Sequence, residues 1–306
     1  MAISTVQAYL NGTWYALTYN GTSGKYEATL TAPGSTSWGL ANHIYPMQIK
    51  ATNTAGTVKT VDVADATVGN SLKLRVLETV KPTVSITSPG ASSYVTNNKQ
   101  PIIFQLRDES GGSGIAISTL ALKIDGGTAV GNGGAGMVCT AVTNGYDCTY
   151  TPQTALSDGG HTVTINVSDN DGNTATQASR TYTVDTVPPV LNVTNPANNF
   201  LTNTAALTVQ GNTNDVTSSA VVITIKLNGA DQGAVTVTSG AFSKALTLAA
   251  GANTIIVTAT DSAGKVTTVT ITGTLDTSVP VISAVTITPN PADTGESMII
   301  SVTVTG

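Results

Sequence analysis

The chain has 306 residues, 18 acidic against 13 basic side chains for a formal charge of −5, and only 10% charged and 5% aromatic residues. That length exceeds one hydrophobic core and predicts a string of modules, while the acidic balance offers no electropositive face for nucleic acid. Ordinary Gly and Pro usage argues against a disordered or collagen-like chain, and with two His (His43, His161) and two Cys (Cys139, Cys148) the chain is poor in nucleophiles, bases and soft metal ligands. A non-enzymatic protein without cofactor is expected.

Residues 1–10 show no basic segment, apolar run or small-residue cleavage site, so no export signal is read there. No stretch approaches 18 consecutive apolar residues, and no membrane insertion is expected. Residues 1–79 hold half of the aromatic rings: Tyr9, Trp14, Tyr15, Tyr19, Tyr26, Trp38 and Tyr45. Asn11-Gly12 predicts a tight hairpin turn, after which Trp14 and Tyr15, adjacent on one strand, must face opposite sides. If this segment has a binding face, Trp14, Tyr15, Tyr19 and Trp38 carry it, because an exposed ring can stack on a sugar or anchor a protein partner. The alternative is that these rings cover the end of a sandwich.

From residue 82 a repeat sets in. Pro82-Thr83-Val84-Ser85-Ile86-Thr87-Ser88-Pro89 returns as Pro189-Val190-Leu191-Asn192-Val193-Thr194-Asn195-Pro196, and again from Pro280 to Pro289 with two extra residues. The unit, about 100 residues, suits one β-sandwich per repeat. Tyr94-Val95-Thr96-Asn97-Asn98 is likewise echoed by Phe200-Leu201-Thr202-Asn203-Thr204. Cys139 and Cys148 flank Asn144-Gly145; a hairpin turning on that dipeptide sets Cys139 opposite Tyr150 and Cys148 opposite Ala141, so the sulfurs share a face diagonally. Either a disulfide or two small buried thiols would fit.

The segment from His161 to Asn173 parallels that from Asn253 to Lys265 and, more loosely, that from Tyr45 to Thr57. In each, apolar residues alternate with Thr, Asn or Lys before Asp or Asn and Gly turn the chain, as in the last two strands of a sandwich. Asp169-Asn170-Asp171-Gly172-Asn173 has the look of a calcium loop, with Asp169, Asp171 and Asn173 as ligands and Asp185 and Asp108 or Glu109 as recruitable acids. It lacks the closing bidentate Glu, so a β-turn without metal is the better reading. His43 and His161 precede strands and read as surface or edge residues rather than bases. No carboxylate pair for glycoside cleavage can be named.

Each repeat closes on an acid and Thr ahead of Pro: Leu77-Glu78-Thr79, Val184-Asp185-Thr186 and Leu275-Asp276-Thr277. Proline fixes φ and lacks a donor, which predicts stiff joints. The expected architecture is all-β: tandem immunoglobulin-like β-sandwiches arranged as a rod, at residues 1–79, 80–187 and 188–279. Residues 280–306 hold two further strands, 281–287 and 298–305. They form either a partial fourth repeat or a tail whose apolar strand, with Met298, Ile299, Ile300, Val302 and Val304, pairs with another subunit.

The Pro189–196 start, the Leu227-Asn228-Gly229 hairpin and the segment from Gly251 to Gly264 make residues 188–279 resemble a bacterial immunoglobulin-like (Big-type) domain, and residues 80–187 a longer relative. With its Met1 start, the Tyr9 to Tyr15 segment and the Gly69 to Val76 segment, the chain is similar to Ig-like proteins encoded among bacteriophage and prophage tail genes. That resemblance implies a virion structural protein, tail- or capsid-associated, assembled in the host cytoplasm and extracellular after release. Its partners would be other virion proteins, copies of itself and host-surface glycan. The alternatives are a bacterial cell-surface adhesin or spacer and, last, an accessory domain of a polysaccharide-degrading enzyme.

Overall fold

The computed structural model describes residues 2–306 and is built of strands joined by turns, with two short 3-10 turns at Ala41–His43 and Gly69–Leu72. It divides into two compact units, Met1–Val184 and Asp185–Gly306.

The first unit opens with β1 (Ile3–Leu10), β2 (Thr13–Asn20), β3 (Lys25–Glu27), β4 (Tyr45–Pro46), β5 (Gln48–Asn53), β6 (Val58–Val61) and β7 (Lys73–Leu74). Asn11 and Gly12, both at positive φ, turn β1 into β2. The sandwich expected of residues 1–79 takes a different form: one five-stranded sheet, β3-β2-β1-β5-β6, and a two-stranded ribbon, β4-β7. Two-residue strands cannot make a second full layer, and the buried apolar residues there are Ala8, Leu10, Tyr45 and Leu72.

The same unit continues through β8 (Thr83–Ser88), β9 (Ser93–Val95), β10 (Ile102–Arg107), β11 (Ile115–Ile124), β12 (Met137–Val142), β13 (Gly145–Tyr150), β14 (Gly159–Asp169) and β15 (Ala178–Val184). These form two four-stranded sheets, β12-β13-β10-β8 and β11-β14-β15-β9. The first strand of the repeat switches sheets at Pro89: β8 pairs antiparallel with β10, and β9 pairs parallel with β15. Alternation does the sorting. Val163, Ile165 and Val167 of β14 are buried, whereas the intervening threonine and asparagine are not, so one strand supplies both a core face and a wetted face. Ile102, Phe104, Leu106, Leu122 and Tyr182 complete a sealed core between the sheets.

The second unit holds β16 (Val190–Asn195), β17 (Phe200–Thr202), β18 (Ala206–Asn214), β19 (Val222–Leu227), β20 (Ala230–Asp231), β21 (Val237–Thr238), β22 (Ala241–Thr247), β23 (Gly251–Thr260) and β24 (Val266–Leu275). The sheets are β16-β18-β22-β21 and β17-β24-β23-β19-β20, with the same sheet switch, β17 joining β24 in parallel. Phe200 lies opposite Gly273, where any Cβ would come within 2.2 Å of its ring. Ile223, Ile225, Ile255 and Val257 form the centre of a separate core. The repeat seen in the sequence is therefore a repeat of two-layer β modules.

β25 (Val281–Thr288) and β26 (Ile299–Thr305) form an antiparallel hairpin in which Ile287 faces Ile300 and Val285 faces Val302. The apolar strand with Met298, Ile299, Ile300, Val302 and Val304 is thus not unpaired, because the strand before it supplies one edge. Its outer edge carries no strand among the described residues, and every residue of both strands is exposed.

Candidate functional site

Two groups of carboxylates, one in each unit, bring oxygens within 4.8 Å of one another. In the second unit they belong to Asp185, Asp215 and Asp261, all buried. Asp185 opens the unit, Asp215 follows β18, and Asp261 follows β23. Each carboxylate is aimed by local backbone. Asp185 accepts from the Val187 amide at 3.1 Å and from the Ser218 hydroxyl, and Asp215 accepts from the amides of Thr217 at 2.8 Å and Ser218 at 2.6 Å. Oδ1 of Asp261 accepts from the Lys265 amide at 2.8 Å, while its Oδ2 is buried and meets no donor.

In the first unit the group is Glu78, Asp108 and Asp169. They occupy the same places in the repeat: the acid of the joining segment, the residue after the second long strand (β10, as β18), and the end of β14, as of β23. Asp169 repeats the turn of Asp261, accepting from the Asn173 amide at 2.8 Å; Asn53 makes the corresponding turn with the Thr57 amide at 2.9 Å, with no charge. Glu78 accepts from the Ser113 amide, and Asp108 Oδ2 from the Gly114 amide at 2.6 Å. Glu78 Oε2, Asp108 Oδ1 and Glu109 Oε2 are buried without partner. Burial raises the Asp108 pKa above the usual carboxylate range; the Gly114 amide pulls it back, and Glu78, Asp169 and Asp171 push it up again. Two full charges at such spacing repel by roughly 3–4 kcal/mol at an effective dielectric of 20.

The contiguous loop read in the sequence is split by the fold. Asp169 joins Glu78 and Asp108, but Asp171 accepts from the Thr36 hydroxyl and, at 3.1 Å, from the Glu78 amide. The Asn173 side-chain NH2 donates to Asp169 Oδ2 at 2.8 Å and to the Glu78 carbonyl at 3.2 Å. Of the acids named as recruitable, Asp108 lies in this group, Glu109 beside it, and Asp185 in the other unit's group. Glu78, Asp215 and Asp261 were missed. The available signal was that an acid stands at equivalent points of both repeats.

The aromatics do not converge. Trp14 pairs across β1–β2 with Tyr9, their rings 5.3 Å apart, and Lys50 Nζ lies 4.5 Å over the indole. Tyr15 and Tyr19 are on the opposite sheet face, as alternation requires, with Tyr19 against Tyr26 at 5.3 Å. Trp38 lies in the loop before β4, stacked on His43 at 4.2 Å.

Cys139 and Cys148 are disulfide-bonded. The hairpin turns one residue earlier than the Asn-Gly rule implies: Val142 pairs with Gly145, which sets the cysteines directly opposite rather than diagonal. Gly145 stands at φ 156°, with Leu106 O 1.9 Å from where a Cβ would be. Its bare backbone is needed inside the strand against β10, so the turn falls on Thr143 and Asn144.

His161 is buried rather than at the surface. Its Nδ1 is 2.6 Å from Asp125 Oδ2, its Nε2 is 2.8 Å from the Ser157 carbonyl, and its ring is 5.9 Å from that of Tyr182, whose hydroxyl burial pushes up to about 12. Burial draws the imidazole pKa down, but the Ser157 carbonyl and the Asp125 carboxylate outweigh it and hold the value above the ordinary one. A raised folded pKa stabilises the fold fully below the unfolded value of about 6.5 and is lost as pH rises through the folded value. Urea midpoints of the first unit should therefore fall as pH rises above neutrality, and His161→Gln should remove that slope. A wild-type midpoint indifferent to pH over this range would contradict it.

Residues 81–186 match the family model of a bacterial Ig-like domain, and residues 189–277 match the model of glucodextranase domain B. A search of curated proteins finds no match. Among solved structures, the titin I-band fragment I67–I69 is 12% identical, with a TM-score of 0.45 over 89% of this chain and 87% of that one. The fibronectin(III)-like modules of CbhA from Clostridium thermocellum are 16% identical, with a TM-score of 0.39 over 63% and 94%. A 1.5-MDa bacterial ice-binding adhesin fragment is 18% identical, with a TM-score of 0.31 over 90% and 88%. Residues 81–186 are thus similar to a bacterial Ig-like domain, and the chain as a whole is an all-β protein with Ig-like β-sandwiches in tandem.

Proposed function

We propose that the chain is a non-catalytic display protein, a tandem of Ig-like modules that holds a binding face away from the surface bearing it. The observation that carries this reading is the recurrence of one module with its own sealed core. A repeated self-sufficient sandwich lengthens a chain by whole modules, each folding on its own core. The disulfide suits a working place outside the reducing cytoplasm.

The bearing surface is a bacteriophage virion, with the chain attached to tail or capsid proteins and contacting host-surface glycan weakly at many copies. Repetition on one particle turns millimolar contacts into useful avidity. The sheet face with Tyr9, Trp14 and Lys50 is the contact: two flat rings give apolar area and the ammonium a hydrogen-bond donor. The outer edge of β26 adds a strand from another copy or continues into a further repeat. A bacterial cell-surface adhesin is the second reading, favoured equally by the disulfide.

Antibody labelling of particles and of cell envelopes separates the two; label confined to the envelope removes the virion reading. On a glycan array the full chain should bind, and Trp14→Ala should cut the signal about tenfold, the loss of roughly 1.4 kcal/mol. An equal signal from this variant would remove the Trp14 face from the reading.

A further inference from the structure

We propose that His161, as an imidazolium donating from both ring nitrogens, pins the segment 151–158 as one wall of a largely apolar cavity in the first unit, and that loss of one ring proton releases that segment. The partners of the ring carry the assignment. Nδ1 is 2.6 Å from Asp125 Oδ2 and Nε2 is 2.8 Å from the Ser157 carbonyl. A carbonyl oxygen only accepts, and so does an ionised carboxylate, whereas a neutral imidazole carries a single N–H. Both contacts are satisfied together only by the doubly protonated ring. Asp125 is held in place from its other oxygen, Oδ1, which accepts from the Thr162 amide at 2.8 Å. The ring is 7% exposed. Facing it across the core is Tyr182 of β15, with Tyr150 of β13 beyond, and the Tyr182 hydroxyl keeps its proton up to about 12. Tyr94 of β9 borders the same stretch of β14, and Asp158 adjoins Ser157. Among the described residues the ion pairs are Arg107–Asp147 and His161–Asp125, so no Lys or Arg competes for Asp125.

Segment 151–158 joins β13 to β14 and is thinly held. Residues 153–155 and 157 are exposed. Besides the Ser157 contact, the Thr151 amide donates to the Gly136 carbonyl at 2.9 Å, the Leu156 amide to the Asn98 carbonyl at 2.8 Å, and Lys99 Nζ to the Gln153 carbonyl at 2.7 Å. Pro152 and Leu156 of this segment, with Leu122, Ile124, Val130 and Tyr150, wall a cavity of about 200 Å3. As pH rises, one ring proton passes to water. The remaining N–H stays with the carboxylate, because a charge-assisted hydrogen bond is the stronger one, and the Ser157 carbonyl then faces a lone pair. The segment loses an anchor and the cavity loses a wall, while the strands stay paired. Regions with few buried contacts open separately from the core in just this way.

NMR of the full chain, labelled with 15N in its two histidines and assigned with His43→Gln, tests the first half. Both His161 ring nitrogens should be protonated below a titration midpoint that lies higher than in the urea-unfolded chain. A midpoint at or below the unfolded one, or a ring with a single proton throughout, would overturn the proposal. Hydrogen exchange tests the second half. Corrected for the intrinsic effect of pH, protection of the Leu156 amide should fall about tenfold or more on passing through that midpoint, the scale of one charge-assisted hydrogen bond. Amides of β10, a strand paired on both edges, should keep theirs. Leu156 protection that does not change, or that falls in step with β10, would overturn the proposal, and neither wild-type measurement needs a variant to fold. Asp125→Asn gives the opposite case: its amide can donate to Nδ1 of a neutral ring whose Nε2–H still serves Ser157. Leu156 should then stay protected on both sides of the midpoint, and a loss at high pH equal to that of the wild type would overturn the role of the second proton.

Discussion

Replacing Phe104 by Ala is expected to cost the first unit about 3–5 kcal/mol, the range for emptying a buried aromatic site. Phe104 is fully buried at the middle of β10, directly between Ile86 of β8 and Cys148 of β13. Both neighbours belong to strands hydrogen-bonded to β10, so they cannot close on the void without breaking the ladder. A domain is stable by only about 5–15 kcal/mol, so the variant should sit near the edge of folding. Phe104→Leu, which keeps most of the volume, should lose less than about 2 kcal/mol. All nine Tyr and both Trp precede residue 185, so near-ultraviolet circular dichroism in the tyrosine and tryptophan bands follows the first unit. Its urea midpoint should drop in Phe104→Ala and stay put in Ile255→Ala, which empties the other core. A near-ultraviolet midpoint that moves in both variants would mean that the two units unfold as one.

Removing the Cys139–Cys148 bridge should cost the same unit about 2–3 kcal/mol. The bridge closes a loop with a sequence separation of 9, and the chain-entropy relation gives roughly that value for about ten residues. It joins directly opposite residues of β12 and β13, so it restrains the unfolded hairpin while adding little to a ladder already formed. Cys148 is buried and Cys139 partly exposed, so the double Ala variant is the cleaner comparison, leaving no hydroxyl in the core. Dithiothreitol should shift the wild-type midpoint by a similar amount and leave the variant unchanged. Equal wild-type midpoints with and without reductant would show that the bridge contributes nothing. Since Cys148 touches the row that holds Phe104, the two losses should not add.

Both effects concern only scaffold stability. Under the proposed function, binding and stability are separable: Trp14 lies on the five-stranded sheet, whereas Phe104 and the disulfide lie in the sandwich that follows it. Trp14→Ala should therefore weaken glycan binding with little change in the near-ultraviolet midpoint, and a matching loss of both would mean that the ring is packing rather than contact.

Local pattern determined much of this protein. The alternation in residues 161–169 and 253–260 was enough to name strands and their buried faces, because a strand sorts its side chains with a period of two whatever surrounds it. The recurrences at Pro82 and Pro189 marked the modules, since proline ends a ladder in any context. Only the tertiary structure decided the rest. The hairpin register at the cysteines depended on β10 pressing against Gly145, a contact across 38 residues of chain. The acids came together from three separate places in each unit, so a search for a continuous ligand loop picked Asp171 and Asn173 and passed over Glu78, Asp215 and Asp261. Spacing along a chain reports a site only when one segment makes it; a site at the end of a sandwich is made by loops that meet solely because the sheets have packed.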